Sequence, residues 1–250
     1  MVQRIREKLN SIRLNYQSRK RERKLSQEID IKKVAHLNST VSCDQKWYGN
    51  NYGGFFINPS LLHSDSIVYS FGIGKDISFD KTCIKKHKCT VYAFDPTPKS
   101  IRFISQQNLP ESFHFFSYGI SDGESGTYKF FLPENPRGVS GSLVDTDVVS
   151  TQRSIDVEMK SFADIVGTLG HKHIDVLKMD IEGSEYTVLE RILESEITID
   201  QLLIEFHDRL FDQEHYRSVE IVRKLNNNGY EVFAASKTYE EISFIHTRNL

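Results

Sequence analysis

A pair of glycines followed by an acid is the first feature of the chain that suggests chemistry. Residues 71–76 read FGIGKD, between an apolar run and a helical pattern that begins near Ser78. Glycines let a ligand approach the backbone closely, and a helix N-terminus presents free amide hydrogens. A dinucleotide site would continue to a third glycine and bind pyrophosphate. Asp76 would repel phosphate, so this glycine turn is predicted to hold a cationic ligand, for example one with an amino group and a sulfonium, unless it is an ordinary tight turn.

A second acid follows the next apolar run. Residues 90–94 are predicted to form a strand, and Asp95 and Pro96 come directly after it. An acid about twenty positions after a glycine turn, at a strand end, is placed to accept the hydroxyl hydrogens of an adenosine ribose. A helix cap before Pro96 would explain the acid alone, but not its pairing with the glycine turn.

Three more acids cluster at the end of a third apolar run. The strand predicted at 174–179 leads directly into Asp180 and Glu182. Burying two carboxylates at a strand end costs free energy unless they bind something, which favours a functional role. Glu185 is predicted to lie in the first turn of the following helix, where the helix dipole favours an acid.

His207 follows the strand predicted at 201–206 and lies on the same rim. An imidazole with a near-neutral pKa could accept a proton from a hydroxyl, and a structural hydrogen-bonding role explains it equally well. Asp180 is the alternative base. Asp180, Glu182 and His207 also carry atoms that bind divalent metals, but a hard cation prefers more oxygen ligands than the sequence gathers, so no metal site is predicted.

The elements that position these residues alternate between strands and helices. From about Ser66 onward, short apolar runs and helical patterns follow one another, which is typical of crossover units in a parallel sheet. Five such strands are predicted, at 67–71, 90–94, 112–117, 174–179 and 201–206, with helices at 77–86, 99–107, 161–169, 184–194 and 213–227. Ligands bind such sheets at the carboxyl ends of the strands.

Two departures from this alternation are predicted. An excursion after the third strand contains strands at 127–132 and 154–160, and the chain ends with strands at 230–235 and 242–246. The last two strands are too close in sequence for a crossover, so they must pair antiparallel. The predicted fold class is therefore α/β: a mostly parallel seven-stranded sheet with a C-terminal antiparallel hairpin, helices on both faces, and the reversed strand at the edge.

Charge is distributed unevenly. Residues 1–33 hold 11 Lys or Arg against 4 acids, and the remainder holds 21 against 30. We predict two parts, a basic amphipathic helical extension at 1–45 and one domain at 46–250. Residues 1–25 would form a helix that packs on the domain or on another subunit, or contacts a membrane surface. Nucleic acid is not expected as a partner, because the acidic body would repel it.

Composition limits the cellular compartments in which the protein is expected. No apolar run reaches the roughly 18 residues of a membrane span, and the chain begins with charge, so it is expected to stay in the cytoplasm, with peripheral contact to the inner face of a membrane as the alternative. Cys43, Cys83 and Cys89 form an odd set that indicates a reducing compartment. Cys83, Cys89 and the nearby His87 lack the fourth ligand that a structural zinc needs.

Taken together, these segments resemble the FkbM family of S-adenosylmethionine-dependent methyltransferases. The matching pieces are FGIGKDISFD at 71–80, YAFDPTP at 92–98, GSL at 141–143, DVLKMDIEGSE at 175–185 and LIEFH at 203–207. The resemblance extends from about Tyr52 to Thr247. It implies a Rossmann-like class I methyltransferase fold, S-adenosylmethionine as cofactor, and methyl transfer to a hydroxyl oxygen, often of a sugar or a polyketide-type product.

The resemblance also implies roles for particular residues. Gly72 and Gly74, with Asp76, would hold the methionine part of the cofactor, and Asp95 would bind its ribose. Phe71 and Pro96 flank these positions and are assigned to the same cofactor site. Ser121 and Asp122 would lie against the adenine. Asp180 and Glu182 would line the edge where the methyl group is transferred.

The acceptor is predicted to be a hydroxyl compound, in first place a sugar of a glycan or glycoconjugate. Its site is assigned to His207, to Ser140 and Ser142 in a Gly-rich loop at 138–143, and to Tyr52 in the segment 52–56. A secondary metabolite or lipid acceptor is an alternative. A nicotinamide-dependent oxidoreductase is disfavoured by Asp76 and the missing third glycine. A non-catalytic module that docks through the basic helix is disfavoured by the retained acids.

Overall fold

The computed structural model describes residues 23–27, 29–133, 149–211 and 216–250. In chain order its strands are β1 (Lys46–Tyr48), β2 (Phe55–Ile57), β3 (Ile67–Phe71), β4 (Thr90–Phe94), β5 (Phe113–Phe116), β6 (Gly119–Ser121), β7 (Gly126–Pro133), β8 (Val149–Ser161), β9 (His173–Met179), β10 (Thr198–Glu205), β11 (Tyr230–Ala235) and β12 (Glu241–His246). The main helices are α1 (Ser78–His87), α2 (Pro98–Ile104), α3 (Phe162–Leu169), α4 (Glu185–Leu193) and α5 (Arg217–Asn227).

Seven strands form the main sheet in the order β5-β4-β3-β9-β10-β12-β11. β12 runs opposite to the other six strands of this sheet. The prediction of a mostly parallel seven-stranded sheet with a C-terminal antiparallel hairpin is therefore confirmed. The predicted place of the reversed strand was wrong, because β12 lies between β10 and β11 and β11 forms the edge. The α5 crossover places β11 two positions from β10, and the short turn after β11 then returns β12 into the position between them.

Helices cover both faces of the sheet, as predicted. One face packs against α3, α4 and α5, and its core includes Ile165, Leu189 and Leu225. The other face packs against α1 and α2 and against the two-stranded sheet of β1 and β2. The strands are apolar on both sides because both sides are covered, which is the reason that they read as continuous apolar runs in the sequence.

The excursion between β5 and β9 is a separate three-stranded sheet in the order β6-β8-β7. The strands predicted at 127–132 and 154–160 are β7 and β8, which pair antiparallel, and β6 pairs parallel to β8. Segment 119–121 forms β6. The predicted loop residues Ser140 and Ser142 lie outside the described residues.

Most of the predicted basic helix, residues 1–22, also lies outside the described residues, and 23–27 are helical. The boundary at residue 45 stays a prediction. Val34 and Leu37 are nevertheless buried in the core, and the N–H of Thr40 donates to the carbonyl of Val232 at 2.8 Å. Within the described ranges, no helix is both long and apolar enough to cross a membrane.

Candidate active site

The glycine turn and the end of β9 cross in direct backbone contact. Gly72 has a φ of +75°, and a Cβ placed on it would lie 1.6 Å from the carbonyl oxygen of Asp180. The N–H of Asp180 donates to Phe71 at 3.1 Å, and the N–H of Gly72 donates to Phe94 at 3.0 Å. The sheet hydrogen bonding therefore continues into the turn and holds the ends of β3, β4 and β9 together.

A cavity opens over these three strand ends, at the carboxyl edge where ligands bind in such sheets. It encloses about 910 Å³ with its open mouth included. Its walls include the backbone of Gly72 and Gly74 and, from the excursion sheet, Ile120 and Phe130. The acidic and basic side chains on its walls are Asp76, Asp80, Asp95, Lys178, Asp180 and Glu182.

Asp95 ties the glycine turn to the end of β4. One of its carboxylate oxygens accepts a hydrogen bond from the N–H of Gly74 at 2.9 Å. The other accepts from the N–H of Thr97 at 2.9 Å and from its hydroxyl at 2.6 Å. Burial raises the pKa of Asp95, and the hydrogen bonds from Thr97 and Gly74 oppose that rise. The carboxylate is thus fixed at the cavity wall next to the glycine turn, where the sequence places it.

Asp76 orders the loop between β1 and β2. It accepts the N–H of Ser78 at 2.8 Å and the side-chain amide of Asn50. The side-chain oxygen of Asn50 in turn accepts the N–H groups of Tyr52 at 2.6 Å and Gly53 at 3.1 Å. Through this chain of bonds Tyr52 comes to line the cavity, with an exposed fraction of 42%. Its assignment to the acceptor stays a prediction.

Two buried ionisable residues in the cavity wall are absent from the predicted site. Lys178 in β9 is only 5% exposed, and its ammonium donates to the carbonyl of Gly72 at 2.9 Å. Asp80 in α1 is 2% exposed, and one of its oxygens has no hydrogen bond within the described part of the chain. Burial raises the pKa of Asp80, and the charge of Lys178 opposes this. The available signal was a lysine between the apolar residues Leu177 and Met179 of a predicted strand, since lysines are almost never buried without a partner.

Behind the cavity, Glu185 and His207 form a fully buried pair. One carboxylate oxygen of Glu185 contacts Nδ1 of His207 at 3.0 Å and accepts the N–H of His207 at 2.9 Å. The other oxygen accepts the N–H of Gly183 at 2.8 Å. Glu185 does lie in the first turn of α4, but its carboxylate is a buried link between β10 and the turn after β9. A helix-dipole role alone does not describe it.

Three further carboxylates surround Nε2, the second nitrogen of His207. The distances from Nε2 are 3.3 Å to Glu182, 3.6 Å to Glu205 and 3.7 Å to Asp180. None of these contacts is a hydrogen bond, and Nε2 has no other partner among the described residues. Glu182 adopts a φ of +53° and Gly183 one of +102°. A left-handed glutamate is unusual, and such strain is common at functional sites.

The carboxylates around His207 act on the pKa of its imidazole, which was expected from the sequence to be near neutral. Burial lowers its pKa, but the surrounding carboxylates, Glu185 first, outweigh burial and raise the pKa to about 10. Burial and the charge of Asp180 raise the pKa of Glu205. A raised pKa favours the protonated imidazole at neutral pH, and the assignment of His207 as the base stays a prediction. Asp180 and Glu182 line the cavity, whereas His207 is buried behind them.

A comparison with known families bears on this site. The sequence model described as the methyltransferase FkbM domain matches residues 36–232. The chain belongs to the FkbM methyltransferase family. The predicted family and its class I fold are therefore confirmed.

Two curated relatives carry a methyltransferase name. The human protein named probable methyltransferase-like protein 24 is 25% identical over 155 residues, which cover 61% of this chain and 36% of that protein. Its rat counterpart is 26% identical over 142 residues, covering 56% and 32%. The chain thus spans about a third of the length of the curated relatives it matches.

Solved structures with similar folds are distant in sequence. Fibrillarin from Methanococcus jannaschii has a TM-score of 0.45 and 13% identity, covering 84% of this chain and 87% of that one. Human N-acetylserotonin methyltransferase in complex with S-adenosylmethionine has a TM-score of 0.37 and 11% identity, covering 74% and 49%.

In this FkbM domain, Ser121 and Asp122, which were predicted to contact the adenine, are not among the residues that line the cavity. The hydroxyl of Ser121 is buried and donates to the carbonyls of Gly123 and Glu124 at 3.0 and 3.2 Å, which closes a turn. Asp122 is exposed, and its carbonyl accepts from Arg191. The preceding residues, Gly119 and Ile120, are the ones that line the cavity. By contrast, Phe71, Gly72, Gly74, Asp76, Asp95, Pro96, Asp180 and Glu182 all line it.

Proposed function

We propose that this FkbM protein is an S-adenosylmethionine-dependent O-methyltransferase that acts on a hydroxyl group, in first place of a sugar in a glycan or glycoconjugate. The observation that carries the proposal is the hydrogen-bonded pair of the glycine turn and Asp95 on the cavity wall. The family membership supports it. The activity, the cofactor residues and the acceptor are all parts of this proposal.

The charged and apolar side chains that line the cavity fit the chemistry of S-adenosylmethionine. Asp95 carries carboxylate lone pairs for the ribose hydroxyls, beside its bonds to Gly74 and Thr97. Lys178 supplies a buried cation for the carboxylate of the methionine part, and Asp76 an acid for its amino group. Ile120 and Phe130 supply apolar wall for the adenine. When bound, the cofactor supplies a methyl group on a sulfonium.

The carboxylates of Asp180 and Glu182 serve the acceptor side. Both lie at the cavity edge, with side chains 27% and 21% exposed, so they can accept the hydrogen of an incoming hydroxyl. Asp180 is the proposed base because its carboxylate lines the cavity, whereas the ring of His207 is buried behind it. His207 and Glu185 act as positioning residues that hold these two carboxylates at the edge.

A polyhydroxyl acceptor suits this edge because carboxylates accept hydroxyl hydrogens. The exposed ring of Tyr52 offers a flat apolar surface beside them. A secondary metabolite or lipid that presents a hydroxyl remains the alternative acceptor. Methyl transfer to a panel of glycans, lipids and small alcohols tests the class, and a product methylated on nitrogen would contradict O-methylation.

The cofactor assignment is tested by calorimetric titration with S-adenosylhomocysteine, with NAD as the comparison ligand. We expect binding of the first alone, and Asp95→Asn should weaken it about 10- to 100-fold, because a hydrogen bond to a charged group contributes about 1.5–3 kcal/mol. Asp122→Asn is the matched control and should leave the affinity unchanged. Binding of NAD, of neither ligand, or equal losses in both variants would refute the assignment.

A further inference from the structure

We propose that Asp180, Glu182 and His207 form a binding site for a divalent transition-metal cation such as Mn²⁺. The proposal that an ion binds rests on the positions of these three side chains. The role of the ion in acceptor binding rests on the proposed methyltransferase function.

The three residues offer ligand atoms at suitable separations. One oxygen of Asp180, one oxygen of Glu182 and Nε2 of His207 lie within 4.8 Å of one another. The oxygens are 3.7 and 3.3 Å from Nε2. Metal bonds of about 2.0–2.2 Å place neighbouring ligand atoms roughly 2.8–3.6 Å apart in octahedral or tetrahedral sites. The two distances from Nε2 are close to this range, so a modest side-chain movement brings all three atoms onto one ion.

The imidazole is oriented as a metal ligand would be. Its Nδ1 is bonded to Glu185, and its Nε2 points at the carboxylates without a hydrogen bond, although the side chain is fully buried. A ligating histidine commonly bonds its second nitrogen to a carboxylate, which fixes the ring and makes it a stronger ligand. Metal binding requires an unprotonated ring nitrogen, so a cation and a proton compete for Nε2.

Charge around the site favours a cation. Four carboxylates surround His207, those of Asp180, Glu182, Glu185 and Glu205. Arg209 lies 3.9 Å from Glu205 and offsets part of that charge. Buried charges are normally paired or bound to metal. Because one ligand is an imidazole, a transition metal fits better than Mg²⁺, which prefers oxygen ligands.

Two other groups of acids and histidines in the described chain are already engaged. Asp175 accepts from Ser66 and Ile67, and Asp200 pairs with Arg248. In the third group Glu240 pairs with Arg209 at 2.7 Å. Neither group contains a buried nitrogen without a hydrogen bond, so neither matches the site at His207.

Because Asp180 and Glu182 also line the cavity, an ion between them lies at its edge. An acceptor with two adjacent oxygens, such as a sugar diol, could bind it through both. This would deepen the preference for a polyhydroxyl acceptor.

The test uses the full chain and Mn²⁺ alone, with free Mn²⁺ followed by electron paramagnetic resonance. One ion should bind per chain, and Asp180→Asn and Glu182→Gln should each weaken binding at least about 10-fold. Glu240→Gln and Asp200→Asn probe the two other acidic groups and should bind Mn²⁺ as the unmodified chain does. Titration with S-adenosylhomocysteine in parallel reports folding and the cofactor site.

Absence of Mn²⁺ binding, equal binding by all variants, or a loss confined to the Glu240 or Asp200 variant would overturn the proposal. If Mn²⁺ does not bind while S-adenosylhomocysteine does, only the ion site is refuted. If Mn²⁺ binds as expected and S-adenosylhomocysteine does not, the ion site stands and the methyltransferase function fails. The Glu182→Gln variant must still bind S-adenosylhomocysteine. If it binds neither Mn²⁺ nor S-adenosylhomocysteine, the variant is misfolded, and Asp180→Asn decides the test.

Discussion

Gly72→Ala is expected to abolish the stable folded state. The added Cβ would lie 1.6 Å from the carbonyl oxygen of Asp180, which is backbone and is held by the hydrogen bond from Asp180 to Phe71. A positive φ at a residue with a Cβ costs roughly a further 1–2 kcal/mol. We expect a total loss above about 4 kcal/mol, among the largest seen for single substitutions. Urea unfolding followed by the fluorescence of Trp47, the single tryptophan, measures it.

Gly74→Ala is the matched control for this prediction. Gly74 also has a positive φ, +53°, but a Cβ there meets no atom within 4 Å. It should therefore lose only the roughly 1–2 kcal/mol of backbone strain. Equal stability losses in the two variants would show that the close approach of Gly72 to Asp180 adds nothing to the cost of a Cβ. That result would contradict the geometry of the turn.

Glu185→Ala is expected to have the second largest effect. It leaves the N–H of Gly183, the N–H of His207 and the ring of His207 without their acceptor in a fully buried place. Breaking a buried ion pair by removal of one partner typically costs about 3–5 kcal/mol. Thermal and urea unfolding should both register the loss. Glu185→Gln keeps the size and one acceptor oxygen, so its loss should be smaller.

Glu194→Ala is the control for Glu185. Its side chain is exposed and pairs with Arg191 on the surface at 2.9 Å, and such pairs contribute only about 0–1 kcal/mol. If removal of Glu185 proved as mild as removal of Glu194, the buried link between β10 and the turn after β9 would not stabilise the fold.

Much of the fold could be predicted from local patterns. Predominantly apolar runs of five or six residues separated by helical patterns identify the parallel strands, because strands covered on both faces are apolar on both sides. Asp95 could be placed because its position, about twenty residues after the glycine turn, follows from the length of one crossover unit. β12 was misplaced within the sheet because its insertion between β10 and β11 depends on where the α5 crossover ends in space.

The sequence by itself determined the family, the order along the chain of the seven main-sheet strands and their helices, and the glycines and acids at the carboxyl ends of β3, β4 and β9. Each of these follows from residues close together in the chain. Only the tertiary structure decided that Glu185 bonds to His207, 22 positions away, and that three more carboxylates surround that imidazole. It also decided that Lys178 reaches the carbonyl of Gly72. These contacts join different elements, so burial and charge state at the site arise only when the sheet is assembled.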